Sequence, residues 1–304
     1  MPRTFYGPIG ERNSDYANAG NANLGRFPLG HILILPDNRE YRFALNDGTV
    51  EVAASLYQSV AAVAGHTNII ADVARAIGAT AVSATLNTTA ATIDIYAEGI
   101  VHINDAVGEG YAYRIKRAMN AGDAHAATVA TGVLTVSLDP GETVQVALTT
   151  ASEMSFSRNR FHAVLIHASP PTAGIAGVSP GVAAANRFYW SQVKGYASVL
   201  ASGTLLAGLP VMAGITTDGS VESAKRRLQA VSTGSVLTAS TQYAANIVDQ
   251  DGTTTGLAVV TSVSTATLID ATGGIANNAP IVGMCIKANA STEQALIDLL
   301  ITDS

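Results

Sequence analysis

The residues of this chain that could do chemistry are few and scattered. Six histidines stand at His31, His66, His102, His125, His162 and His167. None lies two positions from another histidine, the spacing with which a strand presents two imidazoles to one metal ion. His162 and His167 flank the apolar AVLI and are expected on opposite faces of a strand. The single cysteine, Cys285, rules out an internal disulfide and any multi-cysteine metal site. It sits in an apolar, strand-like run and reads as a small buried hydrophobe. The GEG string at Gly108–Gly110 falls between two strand-like runs, whereas a phosphate loop must open a helix, so it reads as a turn. DQDG at Asp249–Gly252 places two carboxylates before a glycine as calcium loops do, but no glutamate stands at the twelfth position. It too reads as a polar turn. No string is read as a nucleophile elbow, and no carboxylate pair has a distinctive setting. No enzyme, cofactor or metal centre is expected.

Two further groups could bind rather than react. Phe188, Tyr189 and the only tryptophan, Trp190, stand in a row. On a strand, Phe188 and Trp190 share one face and Tyr189 and Val193 the other. Gly195 and an aliphatic wall come next, so packing in the core or at a subunit contact is favoured over a ligand platform. A carbohydrate-binding surface would need Trp190 with Tyr111 and Tyr113. KRRL, from Lys225 through Arg226 and Arg227 to Leu228, is the one basic cluster. It reads as a solvated loop or as a contact to an acidic patch on a neighbouring subunit.

Composition narrows the class. Of 304 residues, 48% are hydrophobic but only 13% are charged, about half the usual share for a soluble domain. Thr, Ser, Asn, Gly and Ala must therefore cover the surface, which favours a protein packed against neighbours. Arginine outnumbers lysine, as suits interfaces. The net charge of −6 offers no electrostatic footprint for nucleic acid. No apolar run reaches the ~18 residues of a membrane span, and the N-terminus shows no secretory signal.

The elements that would position these residues are mostly strands. Residues 1–28 are polar and Gly/Asn-rich, with no period, and read as an extended arm that stays mobile or orders on a partner. Its candidates for contact are Arg3, Phe5, Tyr6, Arg12 and Tyr16. HILILPDNREYRFALNDG predicts two strands around Pro36-Asp37-Asn38, with Tyr41, Phe43 and Leu45 on one face. Residues 50–84 fit either a helix carrying Ile69, Ile70, Val73 and Ile77 or strands punctuated by Gly65 and Gly78; strand is favoured. Three hairpins come after. GIVHINDAVGEGYAYRIKRA places Tyr111, Tyr113 and Ile115 together. VLTVSLDPGETVQVAL sets Leu134, Val136 and Leu138 against Val144, Val146 and Leu148 across a Pro-Gly turn. At the C-terminus, Val282, Met284, Ile286 and Ala288 are expected to share a face covered by Ile297, Leu299 and Ile301. The Pro/Gly-rich HASPPTAGIAGVSPG reads as a connection between a β-rich domain at 29–170 and a β-barrel-like domain at 171–304. The expected fold is mostly β, with one or two barrel or sandwich domains, an N-terminal arm and at most short helices.

The order of elements in the second half resembles the C-terminal region of capsid decoration (cement) proteins of tailed bacteriophages. An aromatic strand FYWSQVKGYASVLA leads into GTLLAGLPVMAG and TTDGSVESA; after a variable loop, APIVGMCIKANASTEQALIDLLI closes the chain. YAEGIVHINDAVGEGYAYRI also resembles a motif of virion proteins encoded beside phage capsid genes. The resemblance implies a non-enzymatic protein, made in the host cytoplasm, that binds the outside of the capsid. Its partners would be the major capsid protein and its own copies, often as a homotrimer, with no direct contact to nucleic acid or membrane. A major capsid or tail-tube subunit is the alternative structural reading; against the former, no long spine helix is legible. A carbohydrate-binding module is the alternative from another class.

Overall fold

The computed structural model describes residues 4–7, 27–224 and 279–301. They form seventeen strands and one 3-10 turn, Ala64–His66. The strands run β1 Thr4–Tyr6, β2 Ile32–Ile34, β3 Glu40–Leu45, β4 Leu56–Gln58, β5 Ile69–Ile70, β6 Ala81–Thr85, β7 Ile100–Asp105, β8 Ala112–Arg114 and β9 Val133–Ser137. Next come β10 Glu153–Ser157, β11 Leu165–Ile166, β12 Ile175–Val178, β13 Phe188–Leu200, β14 Pro210–Ala213, β15 Val221–Ser223, β16 Ile281–Lys287 and β17 Gln294–Leu300. The chain is nearly all β, built on a large curled, half-barrel sheet that is antiparallel except between β1 and β2. No helix of the described residues is long and apolar enough to cross a membrane.

The main sheet runs β1-β2-β3-β13-β17-β16-β14-β15, with β11, β4 and β12 branching from β13. The long β13 pairs with β3 over its first half, meets β12 at Gln192, and pairs with β17 from Lys194 to Leu200. The expected division at residue 170 is crossed by this sheet, because β3 and β4 hydrogen-bond to strands beyond it. The first half of β13 is buried on both faces; from Lys194 onward only alternate residues are. The change falls at a register shift between Gln192 and Lys194. Gly195 sits there at φ 82°, and a Cβ on it would meet Arg39 at 2.8 Å, so glycine lets β13 pass the turn at residues 37–39.

Residues 69–156 form a lobe with its own core. A four-stranded sheet, β5-β10-β7-β8, packs there with the β6–β9 pair. Residues 50–84 take the strand alternative and contain no α-helix. The β2–β3 pair and the β7–β8 hairpin stand as expected. The hairpin expected at 133–148 does not form. β9 pairs with β6, about fifty residues upstream, while Val144 and Leu148 still bury in the same core. Alternation fixed the face and not the partner.

The C-terminal hairpin β16–β17 is present, with one correction. Register shifts leave Val282 unmatched against β14 and Ile286 unmatched against β17. Val282 and Cys285 therefore point inward, and Met284 and Ile286 point out. The arm departs from expectation at its start: Thr4–Tyr6 pairs in parallel with β2, within this chain.

Trp190 anchors a cluster with Leu33, Leu35, Tyr41, Phe43, Leu45 and Phe188, and is wholly buried. Phe43 lies edge-on to its indole at 5.0 Å, and Phe27 lies tilted against it at 5.3 Å. Trp190→Ala should lower unfolding stability by about 3–5 kcal/mol through the cavity it leaves. Equilibrium denaturation checks this, and a loss below ~1 kcal/mol would contradict the assigned packing.

Candidate functional site

The surface that stands out is the outer face of β13, β17, β16 and β14. Pairing aligns Tyr196 with Asp298, Asp298 with Met284, and Met284 with Pro210, so these four cross the sheet in one row. Leu300 lies opposite Lys194 in the neighbouring row. Strand β17 reads QALIDLL and is apolar on both sides: Ala295, Ile297 and Leu299 face the core while Leu300 faces out. Tyr196, Ile281, Met284 and Leu300 are 56%, 64%, 47% and 62% exposed, respectively. Isolated exposed apolar residues need no explanation, but here several gather on one sheet face around Asp298.

This face floors a groove of about 630 Å³ bounded by the turn Asp37–Arg39. Its charged rim is internally paired. Lys194 Nζ donates to Glu40 Oε1 at 2.7 Å, and Arg39 Nε to Asp37 Oδ2 at 2.7 Å. The Arg39 hydrogen bond holds the Asp37 carboxyl below its usual range. The lining offers the carboxylates of Asp37 and Asp298 but neither histidine nor cysteine. Such a surface is suited to burying apolar area with a neutralised rim.

The residues singled out in the sequence are dispersed over the structure. Tyr6 is 75% exposed, and Phe5 is the central residue of β1. Arg3, Arg12, Tyr16, Lys225, Arg226, Arg227 and the DQDG string lie outside the described residues. Trp190, buried in the core, presents no atoms to a partner or a sugar. Tyr113 is buried and only Tyr111 is exposed, their rings stacked at 6.3 Å. Cys285 is buried, and burial pushes its thiol up.

The buried histidines serve the architecture. His167 Nδ1 accepts from Gly219 N–H at 2.8 Å while Nε2 donates to Gly214 O at 3.0 Å, bridging two turns. His125 Nε2 accepts from Tyr96 N–H at 3.1 Å, and Nδ1 donates to Ala126 O at 2.9 Å. His66 contacts the Tyr96 hydroxyl through Nδ1 and Thr89 O through Nε2 at 2.8 Å. No group of three metal-ligating side chains occurs among the described residues.

The sequence does contain one G-x-S-x-G string, Gly177–Gly181, so a nucleophile elbow there has to be judged on geometry. Ser179 is fully buried, its hydroxyl hydrogen-bonded between Glu51 Oε2 at 2.8 Å and Gly181 O at 2.6 Å. It comes after a strand and leads into a turn, without the helix that a nucleophile elbow requires. Gly177 is there because a Cβ would collide with Ser191 Oγ where β12 crosses β13. The string is a packing device.

Glu98 is the most perturbed carboxylate. It is buried where the lobe meets the main sheet, accepting from Leu29 N–H at 2.9 Å, with Arg117 Nε at 3.1 Å and Arg114 at 3.7 Å. Burial pushes it up to about 7, more than the two arginines pull it back. His162 is pushed the other way, down to about 4, by burial and by Arg158. Burial also lowers His125 and His167.

Compared with models of known protein families, with curated proteins and with solved structures, the chain matches none. The fold and this face define a nearly all-β chain with an exposed apolar sheet face.

The shifts at Glu98 and His162 set opposing pH slopes. The raised Glu98 contributes stability that is full below its usual 4.5 and lost as pH rises through about 7. The depressed His162 contributes stability that is full above its usual 6.5 and lost as pH falls through about 4. Glu98→Gln should therefore stabilise the protein at pH 8 by at most about 3 kcal/mol and steepen its loss of stability from pH 6.5 to 4.5. Thermal unfolding across pH 4–8 checks both arms; parallel curves for variant and parent would refute the assignment.

Proposed function

We propose that the chain is a structural virion subunit that binds the outer surface of a phage capsid lattice and stabilises it, without catalysis. The observation that carries this reading is the exposed apolar patch of Tyr196, Met284, Ile281 and Leu300 on the open sheet face. The low charge of the chain and the order of elements around β13 support it. Covering side chains of this size on binding is worth on the order of 1 kcal/mol each. A single contact is then weak, but a lattice repeats it, and linked copies raise the effective concentration of every next contact. The partner is the major capsid protein, and self-association as a homotrimer supplies the linkage.

Purified protein should sediment with capsids that lack it and raise their resistance to heat. The double variant Tyr196→Thr/Leu300→Thr changes only exposed positions and puts no charge opposite Asp298, so it should unfold as the parent does yet bind capsids at least about tenfold more weakly. Sedimentation equilibrium should report a trimer. Absence both from the capsid pellet and from virions by mass spectrometry would end the decoration reading. Equal binding by the double variant would move the contact to another face.

A further inference from the structure

The lobe joins the main sheet through two segments, 59–63 leaving it and 157–160 returning, and between them lies a crevice of about 200 Å³. Its lining includes Ser59, Tyr96, Ser157, Arg158, Asn159 and Arg160. Arg158 has no carboxylate of the described residues within ion-pair distance, and its Nε is buried without a hydrogen-bond acceptor. A half-buried guanidinium with no counter-charge is costly. The neighbouring charge along the crevice is of the same sign, Arg160 standing two residues on. His162, kept neutral chiefly by burial and further by Arg158, adds no negative charge. Asn159 is fixed in place, its amide donating to Glu98 O at 3.2 Å and its carbonyl accepting from Phe161 N–H at 2.9 Å. Ser59 is held on the opposite wall by its hydroxyl hydrogen bond to Gly174 O at 3.2 Å.

We propose that this crevice binds a small oxyanion of the phosphate or sulfate type on the Arg158 guanidinium, and that the bound anion ties together the two segments connecting lobe and sheet. The planar fork of arginine matches two oxygens of such an anion. Burial at the mouth of the crevice strengthens the contact relative to bulk water. The site is separate from the apolar face and does not rest on the virion reading.

The test titrates inorganic phosphate into the full chain at fixed pH and ionic strength, sodium chloride making up the balance. Isothermal calorimetry and thermal unfolding are both followed. The expected result is one saturable site and an unfolding temperature that rises with the logarithm of phosphate above the dissociation constant. Phosphate also stabilises proteins generally by exclusion from their surface, but that effect does not saturate. Arg158→Gln should fold, its phosphate-free unfolding temperature equal to or above the parent's, and should lose the saturable heat. Arg158→Lys keeps the charge without the fork and should bind about tenfold more weakly. Arg39→Gln, in the other groove, should bind as the parent does. A linear, unsaturable response in the parent, or saturable binding retained in Arg158→Gln, would overturn the proposal.

Discussion

The structure depends on one strand being hydrogen-bonded to three partners along a single length. β13 holds β3 and β12 at its first half and β17 at its second. The first half is buried on both sides because the sheet is covered there on both faces, and its two polar residues, Ser191 and Gln192, are hydrogen-bonded to backbone carbonyls. Hence Phe188 and Trp190 fill one cluster while Tyr189 fills another. The second half is covered on one side only, so Ala197 and Val199 go in and Lys194, Tyr196 and Ser198 go out. The exposed apolar face exists because β17 and β16, which continue the sheet from this half, carry apolar residues outward as well.

That geometry explains how much the sequence disclosed. Strong alternation within one segment was legible: Tyr41, Phe43 and Leu45 of β3 and the β7–β8 hairpin lie as their spacing requires. What alternation cannot encode is the partner. Leu134, Val136 and Leu138 point into the core as expected, yet their strand pairs with Ala81–Thr85 across more than forty intervening residues. Nor does it encode bulges. Two register shifts in β16 reversed the faces of Met284 and Ile286, and that reversal turned expected core residues into part of the candidate contact surface.

The candidate sites were hidden for a related reason. Trp190 stands out in the sequence because tryptophan is rare, but large aromatics flanked by apolar strands are most often core, and its burial is complete. Tyr196, six residues later on the same strand, is the exposed aromatic; only knowledge that β13 changes from two-sided to one-sided burial separates the two. Glu98 and Arg158 sit in the unremarkable strings YAEG and SRNR. In a chain this poor in charge, two arginines alternating directly after a strand were the available signal. Their meaning depends on segments 59–63 and 157–160 lying side by side, which no local pattern states.

Scarcity of charge links these observations. The few charges on the rim of the apolar groove are satisfied within the chain, Lys194 on Glu40 and Arg39 on Asp37. A paired rim around apolar side chains lowers the desolvation penalty when another surface covers it, and leaves Asp298 as the one carboxylate of the groove that a partner would have to meet. The same scarcity makes an unpaired, half-buried Arg158 anomalous. Elsewhere the fold meets a buried charge with hydrogen bonds or counter-charges, as it does for Glu98 with Leu29, Arg114 and Arg117. A guanidinium left without either, at the junction through which the lobe is attached, is better understood as half of an ion pair whose other half comes from solution.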